Sequence, residues 1–295
     1  MNVNITPMVS ICLPTFNGEK YLNETLGSIE NQVFRNFELV ISDDSSSDKT
    51  LEIINNFSIK TDIKIKIFVH KRNGIGANWN NCLLNASGKY IKFIMQDDLI
   101  TPECLKMMVD VAEKNAGVGI VFSRRVIKLS GNVDNYDKWL KTFGVLHNKL
   151  DSEIREGIIK NQQYFNDRRF LNVPSNKIGE PTVVMFRADV VNRIGFFSEK
   201  LMQTLDFEYW YRILVNYDAY FIDSELGVFR RHEKQATSLN SQNFELIRQE
   251  RVALYLSYFN NIFFKLSTRN KIFLLKNIIE AGIIQKIKYQ LLRIC

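Results

Sequence analysis

The sequence has few of the residues that build disulfide frameworks, disordered linkers or metal clusters. Among 295 residues there are four cysteines, five prolines and three histidines. No two cysteines form a C-x-x-C pair, and three of them lie in apolar or helical contexts, which favours buried, reduced thiols and a reducing cytoplasm. The low proline content and the 45% hydrophobic residues indicate a globular chain. We expect one large domain with an appendage, or two subdomains.

A membrane-spanning run and an export signal are also lacking. The longest apolar stretch without charge covers residues 252–264, which is shorter than the roughly 18 residues of a membrane-spanning helix. The first residues enter a predicted strand without a basic region and an apolar core. We therefore expect a cytoplasmic protein that does not cross the membrane.

Most of the excess positive charge lies near the end of the chain. The net charge is +7, and residues 261–295 contain seven bases and one acid, a balance of +6. Bases interleaved with Ile, Leu and Phe are typical of a helix on an anionic membrane surface. Because the apolar positions do not fall on one face, a helix packed on the domain or on another subunit is an equal alternative. A nucleic-acid binder would more often spread such charge over a recognition surface, so we expect no nucleic-acid partner.

Short β-branched or aromatic runs alternate with helical patterns over the first 123 residues. We predict strands at residues 8–13, 37–42, 63–69, 90–95 and 118–123, and helices at 19–31, 47–57, 76–85 and 101–114. This order predicts an α/β fold with a mostly parallel, Rossmann-like sheet flanked by helices. Further on we predict a strand at 181–186, a helix at 205–216, an apolar segment at 219–229 and helix beyond 241. Residues 128–177 have no assignable pattern.

Two adjacent carboxylates, Asp97 and Asp98, follow the apolar run at 90–95 and precede a predicted turn at 99–102. Charges at the end of a buried strand are costly unless they meet water, a metal or a ligand. We expect both to be exposed at the carboxyl edge of the sheet, where open α/β sheets bind ligands. Two oxygen ligands suit Mg²⁺ or Mn²⁺ with substrate phosphates completing the shell. The alternative is a helix N-cap.

Three further polar clusters follow predicted strands at the same edge. They contain Thr15, Asn17 and Glu19 after the first strand, Asp44 after the second and Arg72 after the third. A capped helix or an ordinary turn would explain each cluster alone. Four clusters along one edge together predict a nucleotide-diphosphate site.

With their neighbours, these clusters closely resemble the family 2 glycosyltransferases of the GT-A fold. The matching motifs are VSICLPTFN from residue 9, ELVISDDSSSD from residue 38, NGIGANWN from residue 73 and QDD from residue 96. The resemblance implies a GT-A domain over 1–240, with a nucleotide-sugar half at about 1–100 and an acceptor half at 101–240. A basic, apolar helical extension would follow at 241–295.

The resemblance also implies roles for single residues on the donor side. Thr15, Asn17 and Glu19 would form the first nucleotide-sugar loop, Asp44 would contact the base and Arg72 the nucleotide.

The QDD motif stands where the family has its D-x-D motif. Met95 replaces the first Asp of that motif, Asp97 is the second and Asp98 is an extra one. Either Asp97 alone or both carboxylates would then bind Mg²⁺ or Mn²⁺ and the donor.

A second motif, LDFEYW from residue 205, is similar to the family's E-D-x-x-x-W segment. Leu205 replaces the Glu, but Asp206 is kept and would be the general base. At helical spacing Asp206 shares a face with Tyr209 or Trp210, which would place an aromatic wall suited to a sugar ring beside the carboxylate. Trp210 and Glu208 are expected to bind the acceptor. The alternative is an N-cap at Asp206 and a core position for Trp210.

A third motif, GVFRRHEKQAT from residue 227, resembles the family's late R-x-H loop. Arg231 or Arg230 would pair with the diphosphate of the leaving group. His232 would be a third metal ligand or would order the loop.

The function implied is that of an inverting glycosyltransferase that moves a sugar from a UDP-, GDP- or TDP-sugar to a hydroxyl of a glycan. By family analogy the acceptor is a lipid-linked bacterial surface glycan, such as O-antigen, capsule or cell-wall polysaccharide. The tail would contact the membrane surface or a second copy of the chain. The alternatives are a nucleotidyltransferase, which would normally carry a base in its first loop, and a non-catalytic nucleotide-sugar-binding or scaffold protein.

Overall fold

The computed structural model describes residues 6–131, 136–233, 235 and 244–291. Within these residues, nine strands form one sheet. The strands are β1 (Val9–Thr15), β2 (Phe37–Asp43), β3 (Lys64–Val69), β4 (Tyr90–Phe93), β5 (Leu99–Ile100), β6 (Val118–Ser130), β7 (Gly157–Ile159), β8 (Val184–Arg187) and β9 (Asp218–His232). The helices are α1 (Leu22–Glu30), α2 (Thr50–Lys60), α3 (Ile75–Asn85), α4 (Cys104–Lys114), α5 (Tyr136–Phe143), α6 (Asn161–Asn166), α7 (Val190–Ile194), α8 (Leu205–Leu214), α9 (Phe244–Asn261) and α10 (Thr268–Leu291).

The sheet has the order β3-β2-β1-β4-β8-β6-β9-β5, and β7 pairs with β9. Strands β1 to β4 pair in parallel, as do β6 and β9. Strands β5, β7 and β8 pair antiparallel with their neighbours over short ladders. The prediction of an α/β fold with a mostly parallel sheet flanked by helices is therefore confirmed. The carboxyl ends of β1, β2 and β4 lie at one edge, because the helices between them return the chain to the opposite edge.

The strands and helices predicted before residue 123 are all present, with shifted ends. Strand β4 stops at Phe93 rather than at residue 95, and the predicted turn at 99–102 contains β5, which pairs with β9. Strand β6 continues to Ser130 because it pairs with β9 along its length. The stretch at 128–177, which had no prediction, contains α5, β7 and α6.

Two hydrophobic cores lie on the two faces of the sheet. Strands β1 and β2 are buried at every residue because helices cover both faces. One core includes α1 and α4, whose apolar side chains recur at helical spacing. The other includes α8, which is buried along its entire length. The cysteines at 12, 82 and 104 are buried, free thiols, and Cys295 lies outside the described residues.

The C-terminal helices α9 and α10 pack on the second core. The two helices contribute Leu254, Tyr258 and Leu274, and the turn between them contributes Ile262 and Leu266, all of which are buried. The predicted domain boundary at residue 240 falls outside the described residues. None of the helices in the described part of the chain has the length and hydropathy needed to cross a membrane.

Gly88 lies where the turn before β4 approaches the backbone of β1. A Cβ atom at Gly88 would lie 2.5 Å from the Ser10 nitrogen and 2.7 Å from the Val9 carbonyl carbon. We predict that Gly88→Ala lowers the free energy of unfolding by roughly 1–3 kcal/mol, because neighbouring backbone must move. Urea unfolding measures the change. Gly117→Ala is the matched control, since a Cβ there meets no atom within 4 Å; equal stability of the two variants would contradict the prediction.

Candidate active site

The loop after β1 is tied to the end of β4 by the side chain of Gln96. Its Oε1 accepts the N–H of Phe16 at 2.8 Å, and its Nε2 donates to the carbonyl of Phe16 at 2.9 Å. A Cβ atom at Gly18 would lie 2.4 Å from Gln96 Oε1, so a larger residue there would displace the Gln96 amide. Asn17, between them, has the positive φ of 48°. The amide of Gln96 thus shapes the first loop of the predicted donor site.

The predicted donor residues of the first loop connect it to the loop after β2. Thr15 is buried, and its Oγ1 donates to Asp43 Oδ2 at 2.7 Å. Asn17 Oδ1 accepts the N–H of Ser47 at 2.8 Å. Glu19 accepts a further backbone N–H just before α2, at 3.0 Å. These three side chains therefore fix the position of the loop after β1 relative to the loop after β2.

Asp44 and Arg72 connect the loop after β3 to the other two. The two carboxylate oxygens of Asp44 accept the N–H groups of Asn73, at 2.7 Å, and Gly74, at 3.0 Å. The guanidinium of Arg72 lies over the ring of Phe16, 4.3 Å from its centroid. The structure thus brings all of the predicted donor residues together at the carboxyl edge of the sheet.

The expectation that Asp98 is exposed is wrong. Its side chain is buried, Oδ1 accepts the N–H of Arg230 at 2.8 Å, and Oδ2 accepts the Oγ1 hydrogen of Thr182 at 2.7 Å. Burial, together with the charge of Asp97, raises the pKa of Asp98 well above its usual range. Because both oxygens are engaged within the protein, Asp98 holds strands together rather than facing a ligand. Helix α4 begins at Cys104, so neither carboxylate is its N-cap.

Asp97 meets His232 at the edge of the sheet. Its Oδ2 lies 2.9 Å from His232 Nε2, and both side chains are partly exposed. Two donors at this separation are spaced like neighbouring ligands of an octahedral Mg²⁺ or Mn²⁺, whose bonds are about 2.1 Å long. The described residues hold no group of three or more His, Cys, Asp or Glu suited to a metal. Asp97 and His232 would supply two ligands at most, so a divalent ion bound here would need phosphate and water for the rest.

The two arginines of the late motif have different surroundings. Arg230 is buried, donates from Nε to the carbonyl of Asp97 at 2.8 Å and pairs with Glu24 at 2.8 Å. Arg231 is partly exposed, and its guanidinium lies 5.3 Å from the ring centre of Trp139 on α5. Arg230 is thus part of the framework. The sequence pattern had missed Trp139, which belongs to the unassigned stretch.

Asp206 lies in the first turn of α8. Its Oδ2 accepts a hydrogen bond of 3.3 Å from Asn176 Nδ2, whereas its buried Oδ1 has no hydrogen-bond partner. Burial raises the pKa of Asp206 to about 8. A carboxyl group with a pKa near the working pH and one unused oxygen is suited to accept a proton.

One segment, residues 176–182, lies between Asp206 and the Asp97–His232 pair. Asn176, at its start, donates to Asp206, and Thr182, at its end, donates to Asp98. Besides burial, the charge of Glu180 within this segment raises the pKa of both Asp98 and Asp206. Hydrogen bonds at the two ends of this segment therefore link Asp206 to Asp98, the neighbour of Asp97.

The expectation that Trp210 and Glu208 face an acceptor is wrong. Trp210 is fully buried, and its Nε1 donates to the carbonyl of Gly179 at 3.1 Å. Glu208 is buried, pairs with Arg212 at 2.9 Å and accepts a hydrogen bond from Ser257 on α9. Helix α8 is covered on all sides, so the alternative of a core position is correct for Trp210.

Two buried charged residues that support the site were missed. Lys92 on β4 donates to the carbonyls of Phe93, Pro181 and Thr182, and so fixes the end of the 176–182 segment. The sign of this role in the sequence is a lysine within an otherwise apolar strand.

The other missed residue is Glu250 on α9, whose Oε1 accepts three backbone N–H groups from residues 202–204 at 2.6–2.9 Å. This carboxylate caps the amino end of α8 from another helix. No local motif marks it.

Comparison with known proteins assigns this site to a family. The sequence model described as Glycosyl transferase family 2 matches residues 10–195, more than half of the chain. This chain belongs to glycosyl transferase family 2. The match covers Asp97 and the donor loops, and ends before Asp206, Arg231 and His232.

One relative of this glycosyltransferase has a name that states its activity. The GalNAc(5)-diNAcBac-PP-undecaprenol beta-1,3-glucosyltransferase of Campylobacter jejuni is 25% identical over 312 residues, covering 98% of this chain and 99% of the relative. Two solved structures share the fold. S. aureus TarS 1-349 in complex with UDP-GlcNAc has a TM-score of 0.63 and 21% identity, over 92% of this chain and 72% of that one. The mannosyltransferase PcManGT from Pyrobaculum calidifontis, in complex with GDP-Man and Mn²⁺, has a TM-score of 0.61 and 15% identity, over 95% and 74%.

We expect burial of the Asp206 carboxyl group to lower the free energy of unfolding at neutral pH. Its pKa of about 8 in the folded glycosyltransferase exceeds the value near 4 of an unfolded chain. The contribution of the protonated Asp206 side chain to the free energy of unfolding is therefore complete below about pH 4, and it is lost as the pH rises to about 8. We predict that Asp206→Asn raises the free energy of unfolding at pH 7 by on the order of 2 kcal/mol, and that the gain disappears toward pH 4.

Urea unfolding at both pH values measures this difference. The matched control is Asp110→Asn, which removes an exposed carboxylate that pairs with Lys106 on α4. A gain for Asp206→Asn that is the same at pH 4 and pH 7 would contradict the assignment of a raised pKa.

Proposed function

We propose that this glycosyltransferase moves a sugar from a UDP-, GDP- or TDP-sugar to a hydroxyl group of a lipid-linked glycan, with inversion at the anomeric carbon. The observation that carries the proposal is the 176–182 segment, which contacts Asp206 at one end and Asp98, next to Asp97, at the other. A base at one end of this segment and a diphosphate-binding centre at the other would suit direct displacement of the diphosphate by the acceptor. An acceptor hydroxyl would attack from the side of the base while the diphosphate leaves on the other.

In this mechanism Asp206 would accept the proton of the attacking hydroxyl through its unpartnered Oδ1, once movement of the surrounding residues exposes this buried atom to the acceptor. Its raised pKa keeps the proton affinity high enough for general-base catalysis near neutral pH. Asn176 orients the carboxyl by binding the other oxygen. Because the base must be ionised, turnover should increase with pH up to about 8.

On the donor side, Asp97 and His232 would hold Mg²⁺ or Mn²⁺. The buried Asp98 would fix the position of Asp97 through its hydrogen bonds to Arg230 and Thr182. When bound, the ion offsets the negative charge that grows on the leaving diphosphate. Arg231 adds a positive charge at the same edge of the sheet, held in place by Trp139. The three loops containing Thr15, Asn17, Glu19, Asp44 and Arg72 would bind the nucleotide.

The acceptor and the location are proposed by analogy with the relative from Campylobacter jejuni, whose name includes an undecaprenol-linked glycan. We propose a place in bacterial surface polysaccharide biosynthesis, such as that of O-antigen, capsule or cell-wall glycan. The acceptor lipid would lie in the membrane, with the enzyme at its cytoplasmic face.

The metal assignment predicts that nucleotide binding requires Asp97 and His232. With Mn²⁺ present, UDP, GDP or TDP should raise the melting temperature of the wild type, because a ligand that binds only the folded state stabilises it. Asp97→Asn and His232→Ala should weaken the metal-dependent part of that affinity by about tenfold or more. Asp110→Asn, on the exposed surface of α4, should leave it unchanged. Equal melting shifts with Mn²⁺ and with EDTA in all four proteins would refute the metal centre.

The base assignment predicts a selective loss of turnover. Asp206→Asn is nearly isosteric, so it should preserve donor binding and lower kcat by about a hundredfold or more. Initial rates of sugar transfer, with donor affinity measured separately, test this. The wild-type rate should also show an ionisation near pH 8 that the variant lacks. Near-normal turnover of Asp206→Asn would exclude it as the base.

A further inference from the structure

Helix α10 has two apolar faces, of which one is buried. Asn270 and Leu274 are buried against the rest of the protein. On the opposite side, Ile272 is 62% exposed, Leu275 38% and Ile279 60%. These three residues follow the spacing i, i+3, i+7, so they form one stripe along the helix. The two faces explain why the sequence shows no single apolar face.

The orientation of α10 is fixed by contacts at its amino end. Asn270 Nδ2 donates to the carbonyls of Phe165, at 3.1 Å, and Asp167, at 2.9 Å. Leu274, one turn later, belongs to the second hydrophobic core. Rotation of the helix would break these buried contacts. The stripe therefore faces away from the protein.

Basic side chains lie on both sides of the stripe. By helical spacing, Arg269 and Lys276 lie on one side and Lys271 on the other. Lys276 makes an exposed contact with Glu280 at 3.8 Å, which leaves a net positive charge around the stripe. In the turn before α10, Phe264 is 88% exposed and adjoins Lys265.

We propose that the α10 surface, formed by Ile272, Leu275, Ile279 and the bases beside them, binds the surface of an anionic lipid bilayer. Single exposed apolar residues are ordinary, but an apolar stripe flanked by bases matches an interface in which acyl chains meet anionic headgroups. The positive charge around the stripe fits phosphate headgroups.

This inference deepens the proposed function, because a lipid-linked acceptor would lie in the same membrane. Its test is nevertheless independent of sugar transfer. Binding to vesicles needs neither donor nor acceptor, and nucleotide binding needs no vesicle. Failure of one can therefore be distinguished from failure of the other.

The experiment is cosedimentation of the full chain with vesicles of phosphatidylcholine, with and without phosphatidylglycerol. The wild type should bind only the anionic vesicles, and added salt should weaken binding. The double variant Ile272→Ser, Ile279→Ser should bind at least about tenfold more weakly, because two side chains no longer enter the bilayer. Lys276→Glu should weaken binding several-fold.

Matched controls come from other helices. Ile59 on α2 and Leu84 on α3 are 83% and 66% exposed, so Ile59→Ser with Leu84→Ser removes equivalent apolar groups from elsewhere. Lys106→Glu matches Lys276→Glu, because Lys106 also contacts an acid four residues later on its helix, at 3.5 Å. Both controls should keep full vesicle binding. Circular dichroism melting checks that each variant is folded.

Three results would overturn the proposal. The first is a wild type that does not bind anionic vesicles. The second is binding that survives in the folded Ile272→Ser, Ile279→Ser variant. The third is a wild type that is dimeric by light scattering, becomes monomeric in that variant and never binds vesicles, which would make the stripe an interface between copies of the chain.

Discussion

The arrangement of the site depends on the buried carboxylate of Asp98. A buried carboxylate is stable only where its oxygens are hydrogen bonded, and here the partners are the N–H of Arg230 and the hydroxyl of Thr182. These residues come from the end of β9 and from the turn before β8, so three distant segments meet at one side chain. As a result Asp97, the next residue, lies beside His232, and both side chains are mostly buried. Asp98, which is fully buried, and Asp97, whose side chain is 16% exposed, are neighbours in the chain.

The two sides of the site come from different parts of the chain. Residues before about position 100 supply the donor loops, whereas Asp206, Arg231 and His232 come from α8 and the end of β9. The antiparallel strand β8 lies between β4 and β6 and so joins the two parts into one sheet. The turn before it carries the 176–182 segment. Strand β8 therefore joins the two parts of the chain, and the sheet fixes their relative positions.

Sequence reasoning was successful where the relevant signal is local. Alternating strands and helices determine the edge at which Thr15, Asp44 and Asp97 meet, because parallel strands place their carboxyl ends together. It failed where contacts with residues far away in the chain determine whether a side chain is buried or exposed. Helical spacing places Asp206 and Trp210 on one face, but it does not reveal that the rest of the protein covers α8 on every side. The partners of Asp98 and Glu250 are far away in the chain, and no local pattern specifies them.

The cap that Glu250 places on α8 has a consequence for the reach of the enzyme. It joins the helix of Asp206 directly to α9, and α9 packs against α10. Any surface that holds α10 therefore also constrains the position of α8 and of Asp206. An acceptor would have to extend from that surface by a matching length. If the proposed membrane surface holds α10, the cap would relate the depth of that surface to the lengths of glycan that can reach Asp206.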